Sequence, residues 1–179
     1  MKVSAVQKAK NREAILDTAA RVIREKGPSG LGVADVMAGA GLTHGGFYNH
    51  FTSREDLTAQ ALDRAIQQSN DLLARAVEAK GIDAFLDAYL SQAHLENIAQ
   101  GCPFAATASE MARQPESVRK AFASGLREYI ACGGAAKSRA ETISRLSAAI
   151  GALALARAVI DQDRPLALEL LSAAAQQDR

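Results

Sequence analysis

The sequence predicts an all-α fold of about nine helices, and three observations carry that prediction. Alanine supplies 38 of the 179 residues and proline only 4; alanine is the strongest helix former and a poor strand residue. Apolar residues recur at three- and four-residue spacing along most of the chain, and no segment alternates with the period of a strand. Glycine and proline interrupt the pattern at helical intervals, at Gly27-Pro28, Gly41, Gly81, Gly101-Cys102-Pro103 and Gln114-Pro115. A chain that is 48% hydrophobic and 23% charged can bury a core, which excludes intrinsic disorder.

The elements follow in order. Residues 11–26 place Ile15, Ala19, Val22 and Ile23 on one face, and Gly27 stops the helix. Residues 33–40 carry Val36 and Met37 behind a Gly32 N-cap, with Asp35 favouring the helix dipole. After Ala40-Gly41-Leu42, Thr43 caps a short helix reaching about His50. Ser53 and Asp56 resemble a capping box opening a long helix to about Ala79. Residues 82–97 make the next helix, and Pro103 suits the first turn of another. Residues 116–130 and 138–162 follow, and Asp163-Arg164-Pro165 starts the last.

Several classes are excluded at this point. Cys102 and Cys132 have no metal-like spacing and make no disulfide framework. His44, His50 and His94 are scattered, no nucleophile motif is present, and neither a metal, a cofactor nor an enzymatic activity is expected. Met1–Arg12 is polar and basic, unlike a secretion signal. The apolar run Leu146–Ile160 is shorter than a bilayer requires and is broken by Gly151 and Arg157. A soluble, cytoplasmic protein without membrane contact is expected.

The net charge of +1 conceals an asymmetry. Residues 1–54 hold eight Lys/Arg against four Asp/Glu, a net of +4, and residues 55–179 hold a net of −3. A basic N-terminal third on a slightly acidic body points to an anionic partner engaged by one end. The two short helices around Gly41 have the dimensions of a helix-turn-helix, with Val36, Met37, Leu42 and Phe47 placed to fill the core beneath. Gly45-Gly46 near the start of the second helix costs roughly 1 kcal/mol each against alanine. Close backbone approach to something bulky, such as a base edge in a major groove, would justify that cost. Gly39-Ala40-Gly41 is no dinucleotide fingerprint, because no strand precedes it and His44 occupies the third glycine position.

Residues 11–57, through Gly41-Leu42-Thr43-His44-Gly45-Gly46-Phe47-Tyr48-Asn49-His50-Phe51 to Ser53-Arg54-Glu55-Asp56-Leu57, resemble the DNA-binding domain of TetR-type transcriptional regulators. The resemblance implies a division into a three-helix DNA-binding domain (1–54) and a helical effector-binding and dimerisation domain (55–179). It implies that Thr43, His44, Gly45, Gly46 and Asn49 face bases, and that Tyr48, His50 and Arg54 grip phosphate. Lys2, Lys8 and Lys10 would form a basic arm. Phe47 and Phe51 read as core, and Tyr48 and His50 could serve as scaffold instead. The chain departs from the family pattern at Gly32, Ala34 and Gly46, where a hydroxyl cap, an arginine and a threonine are common.

For the body, the resemblance implies an effector cavity lined by Leu62, Ile66, Phe85, Tyr89, His94, Cys102, Phe104, Met111, Phe122 and Tyr129, although helical spacing suits ordinary core equally. Cys102, at a helix N-terminus, is either a thiolate sensor of oxidants or electrophiles or an inert core thiol. Ile143, Leu146, Ile150, Leu153 and Ile160, with Leu166 and Leu170 from the last helix, form a stripe suited to pairing across a two-fold axis. An intrachain core would use the same stripe. The expectation is a homodimeric regulator, most often a repressor, that leaves a palindromic double-stranded DNA operator when a small-molecule or reactive effector binds. The competing expectation is a helical small-molecule-binding or thiol redox-sensing protein with weak or no operator binding.

Overall fold

In the computed structural model, residues 4–134 and 138–177 are described. The first helix, α1 (Ala5–Lys26), begins where the Ser4 hydroxyl accepts the Gln7 N–H at 3.1 Å. It ends at Gly27, whose φ of 71° only glycine adopts without strain. The helix therefore starts six residues before the expected Asn11. Lys8 and Lys10 ride on its first turns and do not form an arm, and Lys2 lies outside the described residues.

Helix α2 (Val33–Gly39) starts at Gly32 with no side-chain cap, and Asp35 sits in its first turn as expected. Gly41, at φ 72°, reverses the chain, and the Leu42 N–H closes the turn on the Met37 carbonyl at 2.9 Å. A 3₁₀ helix then spans His44–Asn49. Thr43 holds the cap position in extended geometry, but its hydroxyl makes no cap bond.

Ser53 opens α3 (Arg54–Tyr89), its hydroxyl accepting the Asp56 N–H at 3.0 Å while the Asp56 carboxylate reaches back to the Thr52 N–H at 2.9 Å. Gly81, at φ 83° and ψ 168°, kinks this helix where two separate helices were expected. The second half stops at Leu90, and Ser91 caps α4 (Gln92–Glu96), a break absent from the expected 82–97 helix. Pro103 occupies the first turn of α5 (Pro103–Thr107), and a 3₁₀ helix covers Ala108–Arg113. Then come α6 (Glu116–Cys132), α7 (Arg139–Val159) capped by Ser138, and α8 (Arg164–Gln177). No strand occurs among the described residues.

Helix α3 is the central element, packing α1 on one side and α6 on the other, while α5 bridges α1 and α7. A Cβ on Gly125 would collide with the Ile66 side chain, so α6 reaches α3 this closely only with glycine there. The core is continuous from Ile15, Ile23, Val36, Met37, Phe47 and Phe51 through Leu57, Leu62, Ile66 and Leu73 to Phe104, Tyr129, Leu146 and Leu153. Leu62, Ile66, Phe104 and Tyr129 are thus sealed core residues instead of cavity wall, each at most 1% exposed. Met111 is buried, and Phe122 packs edge-on against Phe104 with ring centroids 5.4 Å apart. Truncating such side chains to alanine costs about 2–5 kcal/mol.

Helix α7, with 21 residues, is longer and more apolar than the broken run read from sequence, and by length and composition it could cross a bilayer. Two of its arginines have protein partners: Arg145 pairs with Asp83, and Arg157 donates to the carbonyls of His94 and Leu95. It lies against α8 along its length. Leu146 and Leu153 point inward, which removes them from the expected dimer stripe.

Candidate nucleic-acid interface and ligand cavity

The outer surface of the helix-turn-helix is built by one short element. Because the 3₁₀ helix buries Phe47 against Phe51 and Met37, it turns Thr43, His44, Gly45, Tyr48 and Asn49 outward. Tyr48 is 76% exposed, with only its ring edge against Phe47, so it is no core scaffold. A Cβ on Gly45 would meet nothing within 4 Å, which leaves the backbone open to an approaching partner. Gly46 is half-buried, and a Cβ there would point at the Met37 side chain, in ordinary contact at 3.6 Å.

Lys8 and Asn11 of α1 and Thr43, Gly46, Asn49 and His50 of the turn together line a concavity of about 480 Å³. The structure thus gathers Lys8, Thr43, Asn49 and His50, while Lys10 lies on exposed α1 outside that hollow. Burial, then the charges of Lys8 and Arg12, lower the pKa of His50, and its Nδ1 has no hydrogen-bond partner among the described residues.

Arg54 stands apart from this group. Its Nε donates to the Leu31 carbonyl at 2.9 Å and its Nη2 to those of Pro28 and Ser29 at 3.2 and 3.0 Å. Those nitrogens hold the α1–α2 turn, so Arg54 positions the face, a structural role beside the expected phosphate grip. Arg12 has a similar role that sequence reading missed. Its guanidinium lies 4.6 Å over the Phe51 ring and donates to the His50 carbonyl and to Gln60. The turn is also gripped from the body: Glu110 accepts the Ser29 N–H at 3.3 Å, and Gln114 donates to the Ser29 hydroxyl at 3.1 Å.

The body holds a cavity beside the Gly81 kink. One compartment, of about 640 Å³, is walled by Leu72, Ala76, Ala79, Ala84, Phe85, Ala88, Tyr89 and Ala93, with Lys80, His94 and Gln100 at its polar margins. That volume suits an organic ligand. A second, of about 290 Å³, shares Leu72, Phe85, Tyr89, His94 and Gln100 and adds Arg24, Gln68, Ser69, Arg75 and Cys102. Of the expected lining residues, Phe85, Tyr89, His94 and Cys102 are on these walls. Leu62, Ile66, Phe104, Met111, Phe122 and Tyr129 are not. The alanine wall and Arg24 were missed, since alanine marks no site and Arg24 reads as one more basic residue.

His94 Nδ1 lies 2.7 Å from the Tyr89 carbonyl, an acceptor, so the neutral ring carries its proton there and leaves Nε2 as an acceptor. Burial, then the Arg157 charge, lowers its pKa. Cys102 is 3% exposed on the wall of the smaller compartment, and burial pushes its thiol up, opposed by the Tyr89 hydroxyl and the first N–H groups of α5. The helix N-terminus therefore does not make it the thiolate that redox sensing needs. Among the described residues, no group of three or more His, Cys, Asp and Glu side chains could hold a metal.

An exposed helix-turn-helix face joined by one kinked helix to a cavity-bearing helical body defines a class of two-module helix-turn-helix proteins. Family comparison narrows the class: residues 15–61 match bacterial regulatory proteins of the tetR family, and residues 79–161 match the tetracyclin repressor-like C-terminal domain. The chain belongs to the TetR family of transcriptional regulators. It is 31% identical over 115 residues to uncharacterized HTH-type transcriptional regulators of two Mycobacterium tuberculosis strains, across 62% of this chain. The match spans 58% of those relatives' length, less than two thirds. The fold resembles reduced Escherichia coli NemR with a TM-score of 0.75 at 22% identity, covering 94% of this chain and 95% of the other. A TetR regulator from Chloroflexus aurantiacus gives 0.71 at 23% identity, with 96% and 93% covered.

Proposed function

We propose that the chain is a cytoplasmic, homodimeric repressor that binds a palindromic double-stranded DNA operator and leaves it when a small molecule fills the cavity. The observation that carries this reading is the turn 43–50, which exposes Thr43, His44, Gly45, Tyr48 and Asn49 beside Lys8. Asn49 and His44 would read base edges, with Asn suited to paired hydrogen bonds on adenine. Tyr48, Lys8 and Lys10 would contact phosphate and set the register. The partner face of the dimer would be the outer side of α7 and α8, where Ile143, Leu155 and Leu166 are exposed and Ile150, Ile160 and Leu170 half-buried. Two copies related by a two-fold axis would read two half-sites.

Ligand release would work as a population shift. Helix α3 lines the cavity at one end and carries Arg54 at the other, and the Ser29–Glu110 contact ties the same turn to the body. A ligand that favours one packing of α3 would move the turn and the recognition element with it. The redox-sensing alternative loses its support because Cys102 is buried and its thiol pushed up.

The test is selection of bound sequences from a random DNA pool, followed by titration of the winner across salt. A palindromic consensus is expected, with affinity falling steeply between about 50 and 200 mM salt. No enrichment, or a flat salt response, would reject the reading.

A further inference from the structure

The polar compartment of the cavity contains a buried cation and no carboxylate on its walls. Arg24 is buried, at 6% exposure, on the inner face of α1, and it lines the compartment. Its Nη2 donates to the Ala65 carbonyl at 3.0 Å and to Gln68 at 2.8 Å. Nε is sealed from solvent without an acceptor, and neither Nε nor Nη1 has a hydrogen-bond partner among the described residues. The carboxylate that acts on it, Asp17, is bound to Arg64 at 3.0 Å. A buried guanidinium with unused donors is costly unless something completes it.

The surrounding walls point to what would complete it. Arg75 lines the same compartment and Lys80 the neighbouring one, and neither compartment is lined by any Asp or Glu. Two of the three cations, Arg75 and Lys80, come from residues 55–179, whose net charge is negative, and the third, Arg24, comes from α1. The alanine-rich compartment beyond them is apolar and large enough for a medium-sized hydrocarbon body.

We propose that the effector is an amphipathic organic oxyanion, its apolar body in the alanine-walled compartment and its anionic oxygens on Arg24 and Arg75. This deepens the proposed function by naming the ligand class, and it rests on that reading only for the consequence at DNA. Arginine's planar fork suits carboxylate and phosphate oxygens alike. Because Arg24 belongs to α1 and holds the Ala65 carbonyl and Gln68 of α3, a ligand that draws its guanidinium inward acts on the α1–α3 contact beneath the DNA-binding face. Arg24 is thus a binding residue and the mechanical link.

The experiment is calorimetric titration of the full chain, without DNA, with decanoate, decyl phosphate and decanol. At least one anion is expected to bind ten-fold or more tightly than decanol, and the comparison of the two anions identifies the headgroup. Arg24→Gln, which removes the charge and keeps a polar side chain, should bring that anion to parity with decanol. Arg75→Gln, an exposed change that leaves folding intact, should weaken it several-fold. Amide exchange in residues 23–27 should change with the anion and not with decanol. Equal binding of anion and alcohol, no binding of any probe, or anion preference retained in a folded Arg24→Gln chain would overturn the proposal. If Arg24→Gln does not fold, an unchanged anion affinity in Arg75→Gln overturns it instead. Because no readout uses DNA, failure here leaves operator binding standing, and failed operator selection leaves this result standing.

Discussion

Arg54 Nε donates to the Leu31 carbonyl at 2.9 Å, so the first residue of α3 fastens the turn between α1 and α2. The same side chain reaches Pro28 and Ser29, and on the other side Ser29 meets Glu110. The turn is therefore a junction between the body and the DNA-facing element, and the residue best placed to transmit motion is the one sequence reading assigned to phosphate.

The two roles of Arg54 separate in a salt titration. Arg54→Ala is expected to cost about 1–3 kcal/mol of folding stability through lost charge-assisted hydrogen bonds. It should weaken operator binding while leaving the slope of log affinity against log salt unchanged. A phosphate contact would lower that slope by about one. Thermal unfolding and binding at three salt concentrations distinguish the cases, and a shallower slope with unchanged stability would assign Arg54 to phosphate.

Gly45 and Gly46 are expected to differ although they are adjacent. Neither has a positive φ, so alanine fits both backbones and gains roughly 1 kcal/mol of helix propensity at most. At Gly46 the new methyl meets the Met37 side chain, a contact within the protein. At Gly45 it enters the open space in front of the recognition turn. Gly45→Ala should leave the melting temperature unchanged or higher and cut operator affinity ten-fold or more, whereas Gly46→Ala should change affinity less. Equal effects would show that the backbone at Gly45 does not approach the duplex.

The breaks were legible because each has a local cause. Gly27, Gly41 and Gly81 all adopt positive φ, and Ser53 and Ser138 cap as their neighbours suggest. Ser4 and Ser91 cap equally well, but polar surroundings at one and a continuous apolar stripe at the other concealed them. The cavity was illegible for a different reason. Phe85 and Phe104 look alike in sequence, yet one lines a void and the other is covered by Tyr129 and Phe122. Which neighbour covers a side chain depends on distant helices. Arg24 and Arg54 show the same limit: charge counting places them near an anion but does not reveal that both guanidinium groups turn to backbone carbonyls.

Two half-buried histidines contribute to the pH response. Burial, then Arg157, depresses His94, and burial, then Lys8 and Arg12, depresses His50, so the unfolded chain binds protons more readily at both. Stability is therefore complete above the ordinary histidine value of about 6.5 and falls as pH drops below it toward the folded values. Denaturant midpoints measured from pH 8 to 5 should fall on the acid side. His94→Asn, whose amide can replace the donor to the Tyr89 carbonyl, should flatten that dependence; an unchanged slope would exclude His94 as a contributor.

Thiol labelling follows from burial in the same way. Cys102 is buried and Cys132 half-buried, and burial pushes both thiols up. At pH 7 an aromatic disulfide reagent should modify Cys132 first and reach Cys102 only on unfolding. Rapid labelling of Cys102 in the folded chain would restore the sensor reading.

The apolar residues of α7 divide into two sets that answer to different measurements. Leu153, fully buried, faces the core, and Leu155, 57% exposed, faces outward with Ile143 and, on α8, Leu166. A Cβ on Gly151 would meet nothing within 4 Å, so this outer surface is open enough for another helix to approach. The proposed dimer would cover this strip. Leu155→Arg places a charge on the strip without disturbing the core. It should yield monomers in sedimentation while the helical signal is retained, and operator affinity should fall because one half-site is then read alone. Leu153→Ala should lower stability by about 2–5 kcal/mol through the cavity it leaves, with the folded fraction still dimeric. If Leu155→Arg sediments as a dimer, the outer face of α7 is not the interface.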